Sequence, residues 1–152
     1  MIILGSNQSE LSLSLQPKIQ AALNYTIDKM YETLQRHILE DVYYHDYFPN
    51  KSYAYGDGFP TMDFLNAFKR TAERKINNGL ERSIFYWYQS MRTDSRRGIH
   101  VNGTYDLRPQ LAELLNVDGI FAKKERNLYW DNFLDAVKSH LIEWFEEGFK
   151  NG

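Results

Sequence analysis

The chain has 152 residues, enough to bury a core of its own, and its 43% hydrophobic and 25% charged content is that of a folded globular domain, which excludes a disordered tail. It contains no cysteine, which excludes a disulfide framework, a thiolate metal site and cysteine catalysis and fits a reducing compartment. Eighteen basic residues against 20 acidic ones leave a net charge of −2, so duplex nucleic acid, which is bound by neutralising phosphates, is not the expected partner.

Met1-Ile2-Ile3-Leu4-Gly5 is apolar only briefly and lacks a basic region, so no signal peptide is expected. No segment approaches the ~20 apolar residues of a membrane helix. Leu11, Leu13 and Leu15 alternate with Ser12 and Ser14, the period of a short strand. The period then changes. Ile19, Leu23, Ile27, Met30, Leu34 and Ile38 fall at steps of three and four, which predicts a long helix over 16–41 with Pro17 in its first turn.

Val42 to Pro60 reads as an irregular segment, bracketed by Pro49, Gly56, Gly58 and Pro60. It holds five tyrosines between positions 43 and 55, among them Tyr43, Tyr47, Tyr53 and Tyr55. Tyrosine joins apolar area to a polar tip, so this loop suits a surface exposed before assembly and covered after it. The alternative is that tyrosines fill the edges of the core.

Thr61 is a candidate cap for a short helix through Phe64, Leu65 and Phe68. Asn77-Asn78-Gly79 predicts a hairpin turn between arms 70–76 and 80–89, and Ile84-Phe85-Tyr86-Trp87-Tyr88 is the strongest strand signal. Residues 93–103, with Arg92, Arg96, Arg97, Gly98 and Gly103 in or beside them, read as a mobile basic loop. Its arginines lie near aromatics, a pairing that can bind single strands, but docking on an acidic protein surface fits the net charge better. Asp106 is a plausible N-cap for a helix carrying Pro109, Leu111, Leu114 and Leu115, stopped by Gly119. The last helix is the clearest: Trp130, Leu134, Val137, Leu141 and Trp144 share a face widened by Phe133 and Phe145, with Gly148 as its expected stop. Glu143, Glu146 and Glu147 crowd its C-terminal end, where the helix dipole favours cations. Either a solvated face tolerates them, or a basic partner covers that end.

The expected fold is therefore one α+β domain spanning 1–152, with a long N-terminal helix, a β-hairpin or small antiparallel sheet, a short helix and a C-terminal amphipathic helix.

Catalytic patterns are sparse. His37, His45, His100 and His140 show no zinc spacing, and Gly56-Asp57-Gly58 lacks the lysine-serine ending of a phosphate loop. No serine elbow occurs. Asp63 with Glu73 and Lys75 has the order of a Mg²⁺ nuclease, two carboxylates for the metal and a lysine for the attacking water. The favoured reading of the same residues is a charged edge strand that resists stray pairing, and Asp63 falls in a helical context. No catalytic residue, metal ligand or cofactor site is expected.

Three stretches resemble the neck and tail-completion (head–tail joining) proteins of tailed bacteriophages. They are Leu34-Gln35-Arg36-His37-Ile38 running to Tyr47-Phe48-Pro49, Asp106-Leu107-Arg108-Pro109-Gln110-Leu111-Ala112-Glu113-Leu114-Leu115-Asn116, and the closing helix with Trp130-x-x-Phe133 and Trp144-Phe145-Glu146-Glu147-Gly148-Phe149. Lys51-Ser52-Tyr53 stands where that family usually has arginines. The resemblance implies a non-enzymatic virion protein, made in the bacterial cytoplasm, that forms a ring, usually hexameric, and docks on neighbouring neck or tail-tube proteins. It needs no cofactor, membrane or specific nucleic acid. The contacts expected are Tyr43, Tyr47, Tyr53, Tyr55, Arg92, Arg96 and Arg97. A small Mg²⁺ nuclease and a phage-encoded inhibitor of a host protein are the rival readings.

Overall fold

The protein is described by a computed structural model covering residues 4–43, 63–77, 79–91, 101–102, 105–106, 108–117 and 128–152. It is an α+β protein. In chain order come α1 (Leu4–Ile38), a π-helical turn (Leu39–Tyr43), α2 (Asp63–Asn66), β1 (Phe68–Arg70), β2 (Arg74–Ile76), β3 (Gly79–Glu81), β4 (Ile84–Tyr86), a 3₁₀ turn (Tyr88–Ser90), β5 (Val101–Asn102), β6 (Tyr105–Asp106), α3 (Arg108–Val117) and α4 (Tyr129–Asn151).

The expected strand at Leu11–Leu15 is helical, and Pro17 sits inside α1 and not at its start. The reason is visible in the spacing: Leu11, Leu15, Ile19, Leu23 and Ile27 recur every four residues, so the leucine–serine alternation is subsumed by a longer helical period. Two threonines of α1 are buried. Thr26 and Thr33 each donate their hydroxyl to the carbonyl four residues earlier, Ala22 and Lys29, both at 2.7 Å, which satisfies them without a tertiary partner.

The predicted hairpin forms, but in two pieces. Phe68, Lys69 and Arg70 stand opposite Tyr86, Phe85 and Ile84, whereas Arg74, Lys75 and Ile76 stand opposite Glu81, Leu80 and Gly79. Residues 71–73 on one arm therefore face 82–83 on the other, one residue too many: a β-bulge that bends the ribbon. Thr71 clamps it. Its amide donates to the Ser83 carbonyl at 2.8 Å, its hydroxyl accepts from the Ser83 amide at 2.8 Å, and its carbonyl accepts from Arg82 Nε at 3.0 Å. The short helix ends at Asn66, and Phe68 already belongs to β1. Thr61 and Gly119 lie outside the described residues.

Asp106, expected as the N-cap, lies in β6 paired with Val101, two residues before α3 begins at Arg108, so part of the expected basic loop is a small ladder. At the start of α4 a cap comes from another element: Asn116, buried at the end of α3, accepts the Trp130 amide at 2.9 Å and the Asp131 amide at 3.4 Å through Oδ1. This satisfies amides of the first turn of α4 that have no partner in the helix. Leu128 just before them takes φ 51°, a strained left-handed conformation for a branched side chain.

α4 runs antiparallel to α1. Asn132 Nδ2 donates to Asp41 Oδ2 at 3.1 Å at one end, while Gly148 lies against Ala22 and Tyr25 at the other. Gly148 does not stop the helix, which continues to Asn151. A Cβ there would stand 2.7 Å from Tyr25 Cβ and 2.9 Å from Ala22 Cα, so glycine is present because the two helices touch backbone to backbone.

The core lies where α1, the π-helical turn, α2, β1, α3 and α4 meet: Leu34, Ile38, Val42, Phe64, Phe68, Leu111, Tyr129 and Phe133 among others. Its centre is aromatic. Phe64 meets Phe68 and Tyr129 edge to face with ring centres 5.4 and 5.6 Å apart, and Tyr86 lies 5.1 Å from Phe68. Three tyrosine hydroxyls then tie the elements together. Tyr31 donates to the Phe68 carbonyl at 2.8 Å, Tyr86 to that of Arg108 at 2.6 Å and Tyr129 to that of Ala112 at 2.6 Å. Burial pushes the Tyr129 hydroxyl well above the usual tyrosine range, and the nearby Tyr86 adds to this. Tyr31 and Tyr86 thus serve core edges, and Tyr129 the core itself.

Candidate interaction groove

The apolar stripe of α4 continues beyond the core. Leu141, Ile142 and Phe145 stay 42%, 74% and 39% exposed, while Tyr129, Phe133 and Val137, earlier on the same helix, are 1%, 2% and 8% exposed. The exposed residues form one wall of an open groove of about 710 Å³. Leu23, Thr26, Ile27 and Met30 of α1 form its floor, and Arg82, Ser83 and Ile84 of the hairpin form the opposite wall. Trp130, Phe133 and Leu134 close its other end. Scattered exposed apolar residues are ordinary, but a continuous apolar trough of this size is a candidate binding surface.

Charge is confined to the rim. Arg82 is fixed there by its Nε bond to Thr71 and by Nη1 donating to Asn24 Oδ1 at 3.0 Å. Both partners are neutral. Glu146 lies on the opposite rim, exposed, with Glu143 and Glu147 beside it on α4. His140 Nδ1 sits 3.2 Å from Glu143 and its ring stacks on Trp144 at 5.4 Å. The Glu147 carboxylate accepts the Tyr25 hydroxyl and holds its pKa above the ordinary tyrosine value.

A second exposed apolar surface lies on the far side of β4. Ile84 and Tyr86 face the core, so Phe85 and the following Trp87 point outward, at 41% and 48% exposure. Lys69, cross-strand partner of Phe85, shares that outward side.

Of the contacts expected from sequence, Tyr43 closes the π-helical turn, and Tyr47, Tyr53, Tyr55, Arg92, Arg96 and Arg97 lie outside the described residues. Asp63 begins α2, Lys75 is exposed on β2, and the Glu73 carboxylate accepts Gln20 Nε2 of α1 at 2.7 Å. Among the described residues no three His, Asp or Glu side chains are grouped to hold a metal ion. No described helix is long and apolar enough to cross a membrane. That Leu141, Ile142 and Phe145 line an exposed groove was missed in sequence. Their signal was the doubling of the stripe at Leu141-Ile142 and Trp144-Phe145, wider than one packed face requires.

No family model, no curated protein and no solved structure matches this chain.

Proposed function

We propose that this chain is a non-enzymatic structural subunit that works by assembly, and specifically a neck or tail-completion component of a tailed-phage virion that forms a ring at the head–tail interface. The carrying observation is the apolar groove between α1, α4 and the hairpin, whose wall Leu141, Ile142 and Phe145 remains uncovered in the isolated chain. Burying such surface stabilises association by roughly 25 cal/mol per Å² before the costs of association are subtracted. The specific assignment rests on the resemblance. Its three stretches contribute Leu34 and Ile38, Leu111, and Phe133 to one core, so they act as a packed unit. In this reading the protein is made in the host cytoplasm and resides in the virion.

The test is location. Peptide mass fingerprinting of purified phage particles should find the chain at ring stoichiometry, and its gene should lie between the portal and tail-tube genes. Absence from particles, or Mg²⁺-dependent DNA cleavage lost on Asp63→Ala, would replace this reading with a host-directed inhibitor or a nuclease respectively.

A further inference from the structure

We infer that the groove is filled by a second copy of this chain, head to tail, through the outward face of its hairpin carrying Lys69, Phe85 and Trp87. This rests on the assembly reading and names the partner of that groove. Ile84 lines the groove while Phe85 and Trp87 project from the opposite side of the same strand. A chain cannot fold this face into its own groove, so the two surfaces meet only between molecules. Their shapes differ: one is a concave apolar trough, the other a projecting pair of aromatic rings.

Their charges differ as well. Lys69 stands beside Phe85 and has no ion pair among the described residues. Glu146 on the groove rim also has none among them and lies next to Glu143 and Glu147. Glu143, Glu146 and Glu147 put three carboxylates on neighbouring positions of α4, and a cation brought by the neighbour relieves their mutual repulsion. Groove against groove would set these carboxylates against their own copies, which disfavours a two-fold pairing. The favoured contact is heterologous.

Complementation tests this directly. Ile142→Asp blocks the groove and Trp87→Asp blocks the projecting face; both positions are exposed, and circular dichroism checks that each variant folds. Each variant alone should sediment as a monomer. Mixed one to one, they should form a heterodimer that grows no further, because one intact groove and one intact face remain. A mixture that stays monomeric while the wild type associates overturns the head-to-tail contact, as does a Trp87→Asp variant that associates like wild type. The charge pair gives a second reading: Glu146→Lys and Lys69→Glu should each weaken association by about tenfold, and the double reversal should restore it. Failure of the double reversal to restore association counts against the pairing. A monomeric wild type found in virions would sink this inference alone. Head-to-tail association of a chain absent from virions would sink only the phage assignment.

Discussion

The two halves of α4 carry the same apolar period and meet different fates. Its N-terminal half, with Tyr129, Phe133 and Val137, is enclosed by the π-helical turn, α2, β1 and α3 as well as α1. Its C-terminal half lies against α1, held close at Gly148, and Trp144 reaches the core, while Leu141, Ile142 and Phe145 stay open on the flank. An amphipathic stripe thus states that a face will be covered, but not by what. In the first half the cover comes from this chain; in the second Leu141, Ile142 and Phe145 stay exposed.

The sharpest way to separate the halves is to damage the first. Phe64→Ala removes the ring that meets Phe68, Tyr86 and Tyr129, and should cost about 3–5 kcal/mol in denaturant unfolding. Gly148→Ala comes next. The added methyl would press on the Ala22 backbone, so the helices must part, with an expected loss of about 1–3 kcal/mol. A neutral result there would mean that α1 and α4 slide freely at that end.

Tyr129→Phe should cost about 1 kcal/mol at neutral pH, since the Ala112 carbonyl loses its donor. The difference should be pH-dependent. The folded-state pKa of Tyr129 is raised, so its contribution is complete below the unfolded value of about 10, where both states hold the proton. Above it the unfolded chain ionises first and stability falls by up to about 1.4 kcal/mol per pH unit. The phenylalanine variant lacks that loss, and the two stability curves should converge above pH ~10. Ile142→Asp should have the smallest effect on folding, within about 0.5 kcal/mol, because the side chain is already 74% exposed. A large destabilisation there would break the contrast between the halves.

Much of this fold was legible in the sequence because its signals are local. The period of Ile19 to Ile38, the turn around Asn77–Gly79 and the α4 stripe each depend on neighbours a few residues apart. What was not legible depends on distant partners. Gly148 reads as a helix stop until Ala22 and Tyr25 are seen against it. Asp106 reads as the start of a helix until Val101 is seen paired with it, and nothing local marks Asn116 as the cap of α4, fourteen residues on. The bulge at 71–73 changes no composition, only register. As for the site, the candidate contacts were chosen because aromatic and basic residues cluster in loops, whereas the groove, apart from Arg82 and Ser83, is built from residues on regular elements. Periodicity identified Leu141 and Phe145 as apolar-face residues, but exposure is a property of the assembled fold.

The central claim, that the open half of α4 is an interface, is tested most directly by sedimentation velocity of wild type and Ile142→Asp over a concentration series. The account predicts a wild-type mass that rises with concentration and a variant that stays at monomer mass. A wild type that remains monomeric throughout, or a variant that associates equally well, would contradict it.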